Sequence, residues 1–164
     1  MNKQTRISKD LANKKLVIVR EFDAPLEQVW EAWTESHLLD MWWAPKPWKA
    51  QTKTMDFREG GSWLYCMVGP EGPGSWCRAD FKKISTHKSF TAIDAFCDEN
   101  GNINQDFPIM HWKNEFSETD SGTKVEVEIS YSSVADIEKM LEMGFEEGFT
   151  SALGNLDELL ENKS

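Results

Sequence analysis

The sequence predicts an α+β fold. A curved antiparallel sheet of about seven strands carries two short helices after its first strand and clasps a long C-terminal helix on its concave side. Three observations point there. From Ser133 to Glu161, apolar residues recur every three or four positions (Val134, Ile137, Leu141, Phe145, Phe149, Ala152, Leu156, Leu159), which makes one broad stripe at helical spacing. From Trp48 to Tyr131 the punctuation is that of strands and tight turns, with hairpin-length connections that favour antiparallel pairing. Between that region and the first strand lie two helical segments stopped by Pro45 and Pro47, so this end is not a plain meander.

Residues 1–13 are polar and aperiodic and are expected to form a flexible N-terminal tail ahead of a single domain spanning 14–162. Lys15 to Phe22 is dense in β-branched residues and reads as the first strand. Asp23-Ala24-Pro25 breaks it and opens a helix whose inner face carries Leu26, Val29, Trp30 and Trp33. A second short helix is expected from Ser36 to Trp42. Trp48 to Phe57 is moderately strand-like, and Gly60-Gly61 turns the chain.

Ser62 to Val68 is apolar on both faces, with Trp63, Tyr65 and Met67 opposite Leu64, Cys66 and Val68. Such a strand is covered on both sides or borders a cavity. Gly69 to Gly74 is a loop by composition. Trp76 to Ile84, Lys88 to Cys97, Phe107 to Glu118 and Thr123 to Tyr131 complete the sheet, the last two joined by Thr119-Asp120-Ser121-Gly122.

Ser133, with Asp136 three residues on, forms a capping signature for the final helix. At roughly 40 Å long, that helix would lie along a ten-residue strand of roughly 33 Å. Gly144, Gly148 and Gly154 interrupt it, each costing about 1 kcal/mol against alanine. Either the backbone packs closely on the sheet there, or the missing side chains leave room for a ligand. Glu138 and Glu142 fall inside the apolar arc, so the first turns project past the sheet or the helix kinks at Gly144.

At 164 residues and 40% hydrophobic content, one domain with a real core is expected. A net charge of -10 opposes nucleic acid or anionic membrane as partners. No apolar run approaches the roughly 20 residues needed to span a bilayer, and the N-terminus lacks a signal-peptide core. Cys66, Cys77 and Cys97, without a C-x-x-C pair, read as reduced thiols of a cytoplasmic protein. His37, His87 and His111 have no metal-ligand spacing, and no phosphate- or dinucleotide-binding motif is present, so neither metal nor cofactor is expected.

The run Arg20-Glu21-Phe22-Asp23-Ala24-Pro25, then Val29-Trp30-Glu31-Ala32-Trp33-Thr34, His37-Leu38 and Trp42-Trp43-Ala44-Pro45, resembles the opening of the Aha1-like branch of the SRPBCC (START/Bet v 1-like) superfamily. Arg58-Glu59-Gly60-Gly61-Ser62-Trp63, Asp98-Glu99-Asn100-Gly101, Phe116 through Gly122-Thr123, and Gly144-Phe145-Glu146-Glu147-Gly148-Phe149 with Leu156 extend the likeness over nearly the whole chain. The resemblance implies the helix-grip fold. It also implies binding of lipids, sterols, polyketides or other apolar small molecules, with cyclases in some branches. The branch is named for the C-terminal domain of an activator of the Hsp90 chaperone ATPase. The segment before Lys15 is too short for that activator's separate N-terminal domain.

Eight tryptophans in one domain are unusual. Indoles supply large apolar area with one N–H donor, so they either fill a core or wall a cavity. The expected ligand wall is Trp33, Trp42, Trp63, Tyr65, Trp76, Trp112, Phe145 and Phe149, around an apolar or aromatic small molecule held by a monomer or homodimer. Trp43 and Trp48 flank Pro45 and Pro47 and could form an exposed lip. Should the cavity be catalytic, as a cyclase or hydrolase, the candidates are His111 and the set Arg78, Asp80 and Asp94. That set either enters the concave face and needs pairing or forms an ordinary outer charge cluster. A chaperone-linked interaction module is the remaining alternative.

Overall fold

The structure, a computed structural model, describes residues 5–163. Twelve elements follow one another: β1 (Arg6–Asp10), β2 (Lys15–Phe22), α1 (Leu26–Thr34), α2 (Ser36–Trp42), β3 (Lys49–Met55), β4 (Ser62–Gly69), β5 (Gly72–Ser85), β6 (Ser89–Cys97), β7 (Met110–Glu118), β8 (Thr123–Ser130), α3 (Val134–Glu142) and α4 (Phe145–Lys163). The strands form one antiparallel sheet in the order β1-β2-β8-β7-β6-β5-β4-β3. Only β2–β8 joins strands distant in sequence, and the two intervening helices carry the chain from β2 to the far edge, where it resumes as β3.

Two elements differ from expectation. The expected tail contains β1, which pairs with β2 in the register Ile7↔Ile18. The turn between them is fastened by Asp10, whose carboxylate accepts from the Asn13 amide (3.2 Å) and from Asn13 Nδ2 (2.9 Å). An edge strand needs only one partner and carries polar residues, which is why RISKD shows no strand alternation. Residues 1–4 of that tail lie outside the described residues. The sheet therefore has eight strands.

The final helix is two helices. Gly144 adopts φ +87, a left-handed conformation that favours glycine, and it ends α3 while α4 starts afresh. The Ser133 hydroxyl caps α3 by accepting from Asp136 N at 3.2 Å. Lys139 then fastens α3 to the chain before β7, its Nζ donating to Asp106 O at 2.6 Å and lying 4.8 Å from the Phe107 ring.

Leu16, Ile18, Val125, Val127 and Ile129 from the sheet meet Ala152, Leu153, Leu156 and Leu160 of α4 in the core. A charged clamp reinforces that end. Arg20 of β2 is buried, and its guanidinium donates twice to the Asp157 carboxylate of α4 and once to Glu21 O at 2.8 Å. Asn155 Nδ2 donates to Ala44 O at 2.9 Å, which fixes α4 to the segment after α2. The expected loop at 69–74 is a two-residue turn instead. The Trp48 indole lies over this hairpin, and a Cβ on Gly69 or Gly74 would stand 2.8 or 2.6 Å from its ring.

The two helix glycines 144 and 154 should respond oppositely to alanine. A Cβ at Gly154 would meet nothing within 4 Å, so Gly154→Ala should gain about 0.5–1 kcal/mol from helix propensity. Gly144→Ala should lose about 1 kcal/mol or more, since alanine is strained at positive φ. Urea unfolding of the two variants beside wild type measures both.

Candidate functional site

Between the first turns of α4 and the sheet lies a cleft of about 330 Å³, lined almost entirely by apolar side chains. Strand parity sets its floor. On β4, Tyr65 and Met67 point inward; on β5, Ser75 and Cys77; on β6, Asp94 and Phe96; on β7, Met110 and Trp112. The roof comes from Met140, Phe145, Gly148 and Phe149, with Trp43, Pro45 and Trp48 along one side. Phe145 and Phe149 stack one turn apart, 5.5 Å between centroids and 17° between planes. Gly148 lies between them, and a Cβ there would be 3.8 Å from Pro45 Cγ. Of the readings open for the three helix glycines, Gly144 is a break, Gly148 leaves space at the cleft, and Gly154 faces open surroundings.

Trp43 holds the aromatic wall together. Its ring centroid lies 5.9 Å from Trp33, 5.2 Å from Trp42, 5.5 Å from Trp63, 5.8 Å from Trp112 and 6.0 Å from Phe149. All but the tilted Trp112 pair meet edge to face, a geometry that suits the ring quadrupoles. Its Nε1 donates to the Tyr65 hydroxyl at 2.9 Å. Trp63 and Tyr65, two residues apart on one face, stack at 3.9 Å. Trp63 Nε1 donates to Thr52 Oγ1 at 2.9 Å, and Thr52 in turn donates to Asp40 Oδ1 at 2.6 Å. That relay ties α2 to the β3 edge.

Behind the cleft is a second, smaller chamber of about 30 Å³. Trp43, Asp94 and Trp112 line both spaces and so form the partition between them. The chamber reaches Trp33, Trp63 and Asn114 among apolar neighbours. Trp33 Nε1, Trp112 Nε1 and Asn114 Oδ1 have no hydrogen-bond partner within the protein among the described residues. Among the described residues, no Lys, Arg or His lines either space. Among the described residues, no group of three His, Cys, Asp or Glu side chains could hold a metal ion.

The expected wall residues divide accordingly. Tyr65, Trp112, Phe145 and Phe149 line the cleft, and Trp33, Trp63 and Trp112 line the chamber. Trp42 does not reach either space: it is fully buried, its Nε1 donating to Ala32 O at 2.9 Å. Trp76 is on the outer face, where Lys53 Nζ lies 5.8 Å from its ring. Parity explains it, because Cys77, Ala79 and Phe81 point inward and Trp76, Arg78 and Asp80 therefore point out. Trp43, expected as a lip, turns inward; Trp48 stays at the rim, 40% exposed.

The catalytic candidates are separated by the sheet. Arg78 and Asp80 pair with each other on the outer face (3.1 and 2.6 Å), and Arg78 also donates to Gly101 O at 2.7 Å. His111 is exposed, sharing parity with Lys113 and Glu115. Asp94 alone faces inward. It lines both the cleft and the chamber.

Burial, and then the charge of Asp80, push the Asp94 carboxyl up to about 8. Its titratable neighbours stay neutral below that value. Burial pushes the Cys77 thiol up to about 12 and raises the Tyr65 and Tyr131 phenols. Asp94 is therefore the group that changes charge inside the site between about pH 4 and 8. The folded state holds its proton where the unfolded chain releases it, so this contribution to stability is complete below about pH 4 and is lost as pH rises to about 8. Asp94→Asn should be insensitive over that window. Its stability relative to wild type should grow with pH by about 1–4 kcal/mol and level off above pH 8. Urea unfolding of both proteins at pH 5, 7 and 9 measures the difference.

Comparison with known proteins places this geometry. Residues 23–161 match the family model described as Activator of Hsp90 ATPase homolog 1-like protein. The crystal structure of protein Ms6760 from Mycobacterium smegmatis is 31% identical, with 97% of each chain covered and a TM-score of 0.88. A solution structure of a protein from Arthrobacter aurescens is 30% identical, covering 96% of this chain and 91% of that one at a TM-score of 0.90. A Staphylococcus epidermidis protein superposes at 0.83 with 25% identity, covering 96% of this chain and 94% of that one. No curated protein matches the sequence.

Proposed function

Since the chain belongs to the Activator of Hsp90 ATPase homolog 1-like family, whose fold is compatible with ligand binding or a co-chaperone-like role, we propose that it binds an apolar, aromatic-sized small molecule in the cleft beneath α4. The observation that carries this reading is the space itself: about 330 Å³ of apolar, aromatic-walled volume, at the low end of the range for small-molecule sites. The roof is thinned at Gly148, which lines that volume and where a Cβ would stand 3.8 Å from Pro45 Cγ at its side. A co-chaperone role would use the outer surface, and the distinctive chemistry here is interior. Catalysis by a joint Arg78, Asp80, Asp94 and His111 set is disfavoured by their placement on opposite faces. Among the described residues no helix is long and apolar enough to cross a membrane, and three free cysteines suit a reducing compartment such as the cytoplasm.

Trp43, Trp48 and Trp112 line the cleft, so occupancy should register in tryptophan emission. Titrating a library of uncharged aromatic compounds should give saturable quenching or shifts. Gly148→Leu, which also improves helix propensity, should weaken every hit about tenfold or more by filling the volume. A library that leaves the emission unchanged throughout would reject the reading.

A further inference from the structure

Three residues that line the chamber behind the cleft carry polar groups that the fold does not use. Asn114 is 2% exposed, and Trp33 and Trp112 are similarly buried. The Asn114 amide oxygen and the two indole N–H groups have no protein partner among the described residues. Buried polar atoms of this kind are costly unless something satisfies them. They include both kinds of hydrogen-bonding group, donors on the indoles and an acceptor on Asn114. Asp94 stands in the partition between chamber and cleft.

From this arrangement we infer that the ligand carries an uncharged hydroxyl, phenolic or alcoholic, which enters the chamber past Asp94 while its apolar body fills the cleft. The hydroxyl donates to Asn114 Oδ1 and accepts from an indole N–H. It is the smallest group that does both. At about 30 Å³ the chamber suits one hydroxyl or one water and excludes a ring or a phosphate. Charge argues the same way. Among the described residues, neither space is lined by Lys, Arg or His, so a carboxylate or phosphate would be buried without a counter-ion. The elevated Asp94 pKa keeps that carboxyl largely neutral at physiological pH, which removes the anion that would favour an ammonium ligand.

This inference rests on the cleft being a binding site, and one experiment separates the two. Four probes with the same bicyclic body, naphthalene, 2-naphthol, 2-naphthoate and 2-naphthylmethylammonium, are titrated into the wild-type protein at pH 7 by calorimetry. The expected order puts 2-naphthol about tenfold or more ahead of naphthalene, the scale set by satisfying buried polar groups, with both ions weaker than naphthalene. Asn114→Leu, checked for an intact melting transition, should bring the naphthol-to-naphthalene ratio close to one. Equal affinity for naphthol and naphthalene would overturn the hydroxyl subsite and leave the cleft standing. Tightest binding by the ammonium or the carboxylate would also overturn it. Failure of all four probes would remove the cleft reading and this inference together.

Discussion

The Arg20 guanidinium is a charge sunk in the second strand, and α4 must bring Asp157 to it. Leaving such a cation unpaired in the interior would cost several kcal/mol, so the pair fixes the position of α4 against the sheet. Asn155 reaches Ala44 O two residues earlier on the helix, and Leu153, Leu156 and Leu160 fill the space around the clamp. All of these ties belong to the second half of α4. Its first two turns are held to the sheet more loosely, by an exposed ion pair between Lys9 Nζ of β1 and Glu146 Oε1 at 3.9 Å. They rest on Trp43, whose ring meets Phe149 and Trp112, and on Trp112 of β7 itself, 6.3 Å from Phe145 and 5.7 Å from Phe149. A helix gripped firmly at one end and propped on two indoles at the other leaves space beneath it, and that space is the cleft.

Gly144 makes this arrangement possible. A continuous helix from residue 134 would have to hold one direction through both α3 and α4. The left-handed residue lets α3 turn aside to its own anchorage through Lys139 at Asp106 and Phe107, so Met140 closes one side of the cleft while Phe145 and Phe149 roof it. The acidic Glu138 and Glu142, anomalous on a single stripe, are ordinary once α3 has its own axis.

Much of this was legible in the sequence, because periodicity reports which residues share a face. The strands from Lys15 onward and both short helices follow from it, while the family resemblance rests on the motifs from Arg20 to Pro45 and beyond. The site was legible only where parity was applied strand by strand. Phe90, Ala92 and Asp94 alternate, as do Met110, Trp112, Asn114 and Phe116, so the inward course of Asp94 and Asn114 and the outward course of His111 were available signals. Parity likewise ties Trp76 to Arg78 and Asp80, and grouping it with the wall by residue type overrode that signal. Other features were not legible. Trp42 and Trp43 stand at the end of α2, where periodicity stops, and only tertiary packing sends one into the core and the other to the cavity. The polar edge strand β1 offers no alternation to read.

The polar atoms in the chamber bear on what the fold is for. A protein selected for stability alone would fill a 30 Å³ space between indoles with a methyl group, since an apolar residue at position 114 removes an unsatisfied acceptor and adds packing. Asn114 instead keeps its oxygen buried and unmatched by the protein, beside a carboxyl whose pKa is raised by the same desolvation. Each of these choices costs stability in the unliganded state. On the proposed reading, such costs would be offset by a guest that supplies the missing partners. An all-apolar ligand would fill the cleft and leave those groups unmet. On that reading, the chemistry of the chamber narrows the proposed guest beyond what the dimensions of the cleft dictate.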